Sequence, residues 1–165
     1  MSLQPQGMSL QTPSVPSKQQ PTHTCTSLFG NASGGKEFDH GKRLHLVEVT
    51  VAAGAAVDSI TVKYGNGDVL KHGGGGGDKK SLFLANDEYI NQVIVRAGNT
   101  VQCLTFKTNK GRTLGPCGGK GGLLLGRCGE ETTLNAPDGC ALVSFKGRAG
   151  DYLDAIAFYW GPIPS

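Results

Sequence analysis

The chain has 165 residues with 16 Lys or Arg, 13 Asp or Glu and a formal net charge of +3, which fits one domain with a sizeable core. This mild balance, without a basic run, argues against a nucleic-acid partner. No stretch of about 18 apolar residues exists, so the sequence predicts no membrane insertion. Residues 1–20 lack the apolar region of a secretory signal, which predicts a cytoplasmic or non-classically exported protein.

The first 30 residues differ in composition from the rest of the chain. Residues 1–30 are rich in Gln, Ser, Thr and Pro and show no hydrophobic periodicity. Such a segment cannot bury enough apolar surface to offset its conformational entropy, so we predict a disordered N-terminal tail. The folded domain is expected over residues 31–165.

One short sequence pattern occurs three times. Each copy has Gly, two variable residues, an aliphatic residue, Asp or Gln, and then alternating apolar and polar residues. The copies begin at Gly54, Gly98 and Gly150, and each follows a β-like run. Three strand–turn–strand units in one short chain predict an all-β domain with internal threefold pseudo-symmetry.

Alternation and turn residues locate the individual strands in chain order. We predict strands at residues 44–51, 57–64, 81–85, 101–108, 141–145 and 153–160, and a loop at residues 132–138. Glycine loops lie between the units, at residues 34–35, 73–77 and 118–122. Because no helical pattern of useful length is present, three four-stranded antiparallel sheets that face a common axis satisfy these repeats. Aromatic residues in the strands are expected in the core: Tyr64, Phe106, Phe158 and Trp160.

Several fragments, taken in order, give the chain a family resemblance. They are residues 34–41, 58–64, 72–74, 88–90, 104–109, 115–116 and 145–156. Over residues 34–160 the sequence resembles a jacalin-related lectin of the mannose type. The resemblance implies a β-prism I fold of three Greek-key sheets, which agrees with the repeats, and a non-enzymatic, carbohydrate-binding function.

The resemblance also implies a sugar site. In the family, a hexose lies between the first glycine loop and the last Gly-x-x-x-Asp turn. The matching residues are Gly35, Asp151, Tyr152, Leu153 and Asp154. The carboxylate of Asp154 can accept hydrogen bonds from two adjacent hydroxyls, the backbone amides of Tyr152 and Leu153 can donate, and Gly35 allows close approach of the ring. As an alternative, Asp154 only caps its turn.

The sugar preference follows from the first glycine loop. Galactose-preferring family members are cut so that the glycine at the position of Gly35 becomes a free N-terminus. This chain continues through Ser33-Gly34-Gly35-Lys36, which favours a mannose/glucose-type site. The implied partners are glycans or glycoproteins that contain mannose or glucose, and the resemblance allows a homodimer. The alternative function is a structural or protein-interaction scaffold with an idle or galactose-type sugar site.

A second sugar site is suggested by the first copy of the pattern. Some family members use this copy together with their second glycine loop. The corresponding residues are Gly76, Ala55, Ala56, Val57 and Asp58. As an alternative, Asp58 is a turn residue only. Gln102 replaces Asp in the middle copy, which weakens any third site.

Other chemistry finds no support in the sequence. The four histidines are scattered without metal-ligand spacing, and Lys120-Gly121 lacks the Ser or Thr of a phosphate loop. Five cysteines without a local nucleophile motif favour free thiols, although a Cys117–Cys128 or Cys128–Cys140 bridge is an alternative for an exported protein. We therefore predict no cofactor, no metal site and no enzymatic activity.

Overall fold

The computed structural model describes residues 22–119 and 128–164, so the predicted tail up to residue 21 and part of the predicted third glycine loop lie outside the described residues. Within these ranges every helix or strand element is a β-strand, and no helix is long and apolar enough to cross a membrane. The strands are β1 (Thr24–Cys25), β2 (Phe29–Gly30), β3 (Lys36–Asp39), β4 (Leu46–Ala53), β5 (Val57–Tyr64), β6 (Val69–Gly73), β7 (Asp78–Phe83), β8 (Ile90–Ala97), β9 (Val101–Thr108), β10 (Thr113–Gly118), β11 (Glu130–Asn135), β12 (Cys140–Ala149) and β13 (Leu153–Pro162).

The strands form three antiparallel sheets with one shared topology. The first sheet has the order β1-β13-β12-β3, with β2 also paired to β13, the second has β6-β5-β4-β7, and the third has β10-β9-β8-β11. In each sheet the two central strands form a hairpin and the outer strands flank it. This is the Greek-key arrangement of the predicted β-prism.

The inner faces of the three sheets meet in a single apolar core. In β5, for example, Val57, Ile60 and Val62 are fully buried, whereas Lys63 between the buried positions is exposed, as expected for a half-buried strand. Phe106, Phe145 and Phe158 pack edge to face at the centre, with ring centroids 5.9–6.3 Å apart. The four aromatic residues that the sequence predicted as core are all buried.

The predicted loop at residues 132–138 is wrong over most of its length. Residues Glu130–Asn135 form β11, which pairs with β8 along its whole length. Its residues are either exposed or half-buried, because β11 is an outer strand with no fully buried side chain. An outer strand of this kind lacks the apolar alternation from which strands are predicted.

Residues from the segment predicted as a tail are part of the first sheet. Thr24 pairs with Trp160 in β13, and Gly30 pairs with Ala155 further along the same strand. The ring of Phe29 packs against Phe158, with centroids 6.5 Å apart. These residues are ordered by hydrogen bonds to β13, which the composition of the segment does not predict.

All five cysteines are free thiols.

The pseudo-symmetry is visible in the backbone where each glycine loop begins. Gly30, Gly73 and Gly118 have φ values of +116°, +117° and +112°. A Cβ atom at any of the three would overlap backbone atoms of the neighbouring hairpin. The residue after each glycine donates an amide hydrogen bond of 2.9–3.0 Å to a hairpin carbonyl, from Asn31 to Asp154, from Gly74 to Asp58 and from Gly119 to Gln102.

We predict that Gly73→Ala lowers the free energy of unfolding by about 2 kcal/mol or more, because alanine is strained at this φ and its Cβ meets the backbone of β5. The matched control is Gly75→Ala, since a Cβ there has open space around it. Urea unfolding monitored by Trp160 fluorescence measures both variants. The control should stay within about 0.5 kcal/mol of the parent protein, and equal stabilities for the two variants would contradict the backbone account.

Candidate functional site

The turn of the β12–β13 hairpin presents the predicted site residues. The amide of Gly150 donates a 2.9 Å hydrogen bond to the carbonyl of Tyr152, which closes the turn. Leu153 is fully buried and anchors the start of β13 in the core. Asp151 is exposed, and both Tyr152 and Asp154 are half-buried. The side chain of Leu153 therefore faces the core, and only its backbone lies at the turn.

Gly35 and Asp154 lie side by side at the end of the first sheet. Gly35 has a φ of +57°, and a Cβ atom there would lie 2.5 Å from Oδ2 of Asp154 and would also overlap the carbonyl of Ala149. A Cβ at Gly150 would lie 3.7 Å from the same carboxylate oxygen. The structure thus forms a notch in which a carboxylate faces two glycines, and we call it the first notch.

Two residues outside the predicted site shape the first notch. Arg148 donates from Nε to the carbonyl of Gly34 at 2.7 Å and from Nη2 to that of Gly35 at 3.0 Å. Asn31 accepts the amide of Ser33 on its side chain at 2.9 Å and donates its own amide to the carbonyl of Asp154. Arg148 belongs to the sequence fragments that carry the resemblance, but its role as a clamp on the loop needs the fold.

The carboxylate of Asp154 is unpartnered among the residues that the structure describes. Its backbone carbonyl accepts the amide of Asn31, whereas its side chain has no hydrogen bond within these ranges. Burial raises the pKa of Asp154 above its ordinary value, and the charge of Asp151 adds to this, while the Arg148 guanidinium acts in the opposite direction. An unpartnered, half-buried carboxylate is an acceptor available to a ligand hydroxyl.

A similar notch lies at the end of the second sheet. A Cβ at Gly76 would lie 2.7 Å from Oδ2 of Asp58, and one at Gly77 would lie 2.7 Å from Oδ1. Gly77 has a φ of +84° and corresponds to Gly35, whereas the sequence singled out Gly76 from this predicted loop. In the turn, Ala55 is exposed, whereas Ala56 and Val57 are buried. We call this arrangement the second notch.

At the corresponding position in the third sheet, the described residues engage the side chain of Gln102. Gln102, which stands where the other sheets have Asp, is fully buried and accepts the amide of Gly129 on Oε1 at 2.7 Å. The backbone of Gly129 approaches Ala97, as that of Gly35 approaches Ala149. A side chain that is already bonded to its own loop offers no carboxylate to a ligand.

The two open notches share one loop. Gly74 packs against the carbonyl of Asp151 in the first notch, so closely that a Cβ there would overlap it. Two residues further on, Gly76 faces Asp58 in the second notch. Because three residues span at most about 11 Å, the loop of residues 74–77 brings both notches to the same end of the molecule.

Partly open clefts lie beside the notches. One of about 300 Å³ is lined by Glu37, Lys146 and Arg148, and another of about 210 Å³ by Gly54 and Lys80, among other residues. In the described ranges no group of three or more His, Cys, Asp or Glu side chains could hold a metal ion. In each notch a carboxylate faces glycine backbone.

The three-sheet fold is that of a carbohydrate-binding β-prism domain. The family model of the Jacalin-like lectin domain matches residues 26–159, and the chain belongs to that family. This match confirms the family that the sequence predicted, and the three-sheet fold confirms the predicted fold class. Because the family consists of non-catalytic carbohydrate-binding proteins, the predicted non-enzymatic class is confirmed as well.

Relatives and solved structures agree with this assignment. Griffithsin from Griffithsia sp. is 32% identical over 133 residues, which cover 80% of this chain and 93% of Griffithsin. The structure of wild-type Malaysian banana lectin matches with a TM-score of 0.74 and 26% identity, covering 84% of this chain and 98% of that chain. The artocarpin–mannotriose complex matches with a TM-score of 0.73 and 28% identity, covering 85% and 98%.

We expect the carboxyl group of Asp154 to titrate above its ordinary pKa of 3.8, because burial and the charge of Asp151 both disfavour its ionised form. Asp151→Asn should lower the pKa of Asp154, since it removes a neighbouring negative charge. Carbon-13 NMR titration of the carboxyl resonance measures both values. Asp138→Asn, which changes an exposed acid in the turn before β12, should leave the pKa unchanged. An Asp154 pKa at or below 3.8 would refute this electrostatic description.

Proposed function

We propose that this protein is a lectin that recognises mannose- or glucose-type hexoses of glycans through the first notch. The observation that supports this most directly is the unpartnered carboxylate of Asp154, which faces Gly35 beside the β12–β13 turn. A pyranose offers adjacent hydroxyls that can both donate to one carboxylate. The second notch has the same combination of an available acceptor, a glycine wall and turn amides.

Each predicted residue has a distinct task in this proposal. The carboxylate of Asp154 accepts two sugar hydroxyls, and the backbone amides of Tyr152 and Leu153 donate to sugar oxygens. Gly35 allows the ring to approach the backbone, because any side chain there would fill the notch. The ring of Tyr152, which is half-buried, flanks the bound sugar. Asp151 lies on the exposed rim of the same turn.

A preference for mannose or glucose over galactose follows from the loop before β3. The chain runs uninterrupted through Ser33 and Gly34 into Gly35, and Arg148 holds the carbonyls of both glycines. The first notch therefore has no free terminal amine at Gly35. The neighbouring artocarpin structure is a complex with mannotriose, which supports the same sugar class here.

The second notch is proposed as a second hexose site. Both oxygens of Asp58 face the loop of Gly76 and Gly77, and neither makes a hydrogen bond within the described residues. Ala55, Ala56 and Val57 supply backbone groups rather than side-chain contacts. Each small, solvated site should bind a monosaccharide weakly, so useful avidity comes from two sites in one chain, or four in a homodimer.

We predict that Asp154→Asn weakens mannose binding at the first notch by about 10- to 100-fold, because charged hydrogen bonds contribute about 1.5–3 kcal/mol each and 1.4 kcal/mol is tenfold in affinity. Isothermal titration calorimetry with methyl α-mannoside measures the loss, and methyl α-galactoside should bind more weakly than the mannoside to the parent protein. Asp138→Asn serves as a size-matched control on a distant, exposed acid.

Three outcomes would reject the proposal for the first notch. Mannoside affinity and stoichiometry that are both unchanged in Asp154→Asn would show that the carboxylate is only part of the turn. Stronger galactoside than mannoside binding would overturn the sugar class. A blank glycan array, with protein partners still bound by Asp154→Asn, would favour the interaction scaffold.

Asp58→Asn tests the second notch by stoichiometry. If both notches bind, the parent protein takes up two mannosides per chain, and Asp58→Asn takes up one with little change in the remaining affinity. The same titration on the Asp58→Asn, Asp154→Asn double variant should show almost no binding. A stoichiometry of one in the parent protein, unchanged by Asp58→Asn, would remove the second site.

A further inference from the structure

Two histidines that are far apart in the sequence meet between the first and second sheets. His40 directly follows β3, His72 lies in β6, and their Nε2 atoms are 2.7 Å apart. At this distance one nitrogen carries the hydrogen and the other accepts it. We call the two residues the histidine pair.

The histidine pair is embedded in a wider network. Nδ1 of His40 lies 2.6 Å from the hydroxyl of Tyr64, which is 3.4 Å from Oγ of Ser144. The imidazole of His72 stacks on Phe38, with centroids 3.8 Å apart and an interplanar angle of 6°. His40 is 8% exposed and also contacts the ring of Phe145. Side chains of β3, β5, β6 and β12 therefore meet around the pair.

The strands that the pair joins carry both glycine loops. β3 is an outer strand of the first sheet and begins directly after Gly35, whereas β6 is an outer strand of the second sheet and ends at Gly73. His72 pairs with Ile60, two residues beyond Asp58. Since β3 and β6 belong to different sheets, the contact between His40, His72 and Phe38 links them through side chains.

The charged groups around the pair disfavour additional protons. Arg43 donates from Nε to the carbonyl of His40 at 3.0 Å, lies 4.4 Å above the ring of Tyr64, and is itself paired with Asp68. Burial, the neighbouring His72 and Arg43 lower the pKa of His40 to about 4, against a smaller opposite effect of Asp39. Burial also lowers the pKa of His72, and it raises the pKa of Tyr64 to about 12, so that its hydroxyl stays neutral.

The sign of the pH effect follows from these directions. We call the contact between the first and second sheets around the histidine pair the seam. In the closed seam the pKa of His40 lies below the value near 6.5 of a solvent-exposed histidine. As the pH falls, an opened seam therefore binds protons before the closed seam does. Stability of the closed seam is complete above about pH 6.5 and is lost as the pH falls towards about 4. One proton can be shared between the two nitrogens, but with both imidazoles protonated neither Nε2 can accept a hydrogen bond.

We propose that the histidine pair is an acid-sensitive latch that holds the two glycine loops in position and releases bound sugar when both imidazoles are protonated. The sugar release rests on the function proposed above. Opening the pair removes the side-chain link between β3 and β6, and with it one of the contacts that support Gly35 in the first notch, beside Arg148, and Gly76 in the second.

His72→Gln separates this latch from other acid effects. A glutamine amide can donate to neutral His40 and can accept from protonated His40, so the link survives in both states. Between pH 7.5 and pH 4.5, we expect methyl α-mannoside affinity of the parent protein to fall at least about tenfold more than that of His72→Gln. Protonation of Asp154 weakens both proteins equally and cancels in this comparison. At pH 7.5 the two affinities should agree.

Hydrogen exchange makes the test independent of sugar binding. After correction for intrinsic rates, protection of the amides in residues 34–41 and 69–77 should fall on acidification in the parent protein and persist in His72→Gln, with β9 amides as an unaffected reference. Equal acid responses of the two proteins, in affinity and exchange, would overturn the latch. If no mannoside binds at pH 7.5, the proposed sugar function is rejected, whereas loss of loop protection in the parent protein alone would still support the latch.

Discussion

The organisation of this protein depends on one backbone interaction that each sheet repeats. A glycine with positive φ starts the loop beside each central hairpin, and the next amide donates to the carbonyl of the hairpin residue at the Asp or Gln position. Only glycine can stand there, because a Cβ would overlap the hairpin backbone. The hairpin residue at the Asp or Gln position therefore anchors the loop with its backbone carbonyl, and its side chain lies alongside the loop. In Asp154 and Asp58 this brings an acceptor against a surface made of glycine.

Equivalent scaffolding does not produce equivalent chemistry. The three hairpins share their backbone hydrogen bonds, but Gln102 satisfies its side chain on Gly129, whereas the carboxylates of Asp58 and Asp154 remain available. An amide is neutral and has both donor and acceptor, so it can be buried within its own loop at little cost, while a carboxylate needs solvent or a ligand. A single change of side chain thus decides which repeat presents an available carboxylate and which one satisfies its side chain within the prism.

The sheets contribute to the sites beyond the residues that line them. Arg148 in β12 fixes the carbonyls of Gly34 and Gly35, and the second glycine loop packs against Asp151 of the first sheet while it also forms the second notch. The two notches therefore depend on the contact between the first and second sheets, where the histidine pair lies. Burial makes the charged forms of this histidine pair costly. Under the proposed latch, proton uptake by the pair is therefore coupled to the geometry of the glycine loops.

Local patterns in the sequence determined much of this structure. Residues 57–64 and 101–108 alternate in polarity, and both strands have the predicted bounds. The repeated turns and glycine loops indicated three units, and with the family resemblance they pointed to Gly35 and Asp154 as neighbours. Polar β11 and the residues of β1 and β2 escaped prediction, because their order comes from hydrogen bonds to β8 and β13 rather than from a buried face of their own. Only the tertiary structure could place Arg148 on the first loop or His40 against His72, since those contacts join residues 113 or 114 and 32 positions apart. Strand periodicity reflects neighbours along the chain, whereas a notch or a seam depends on how separate sheets close around their common core.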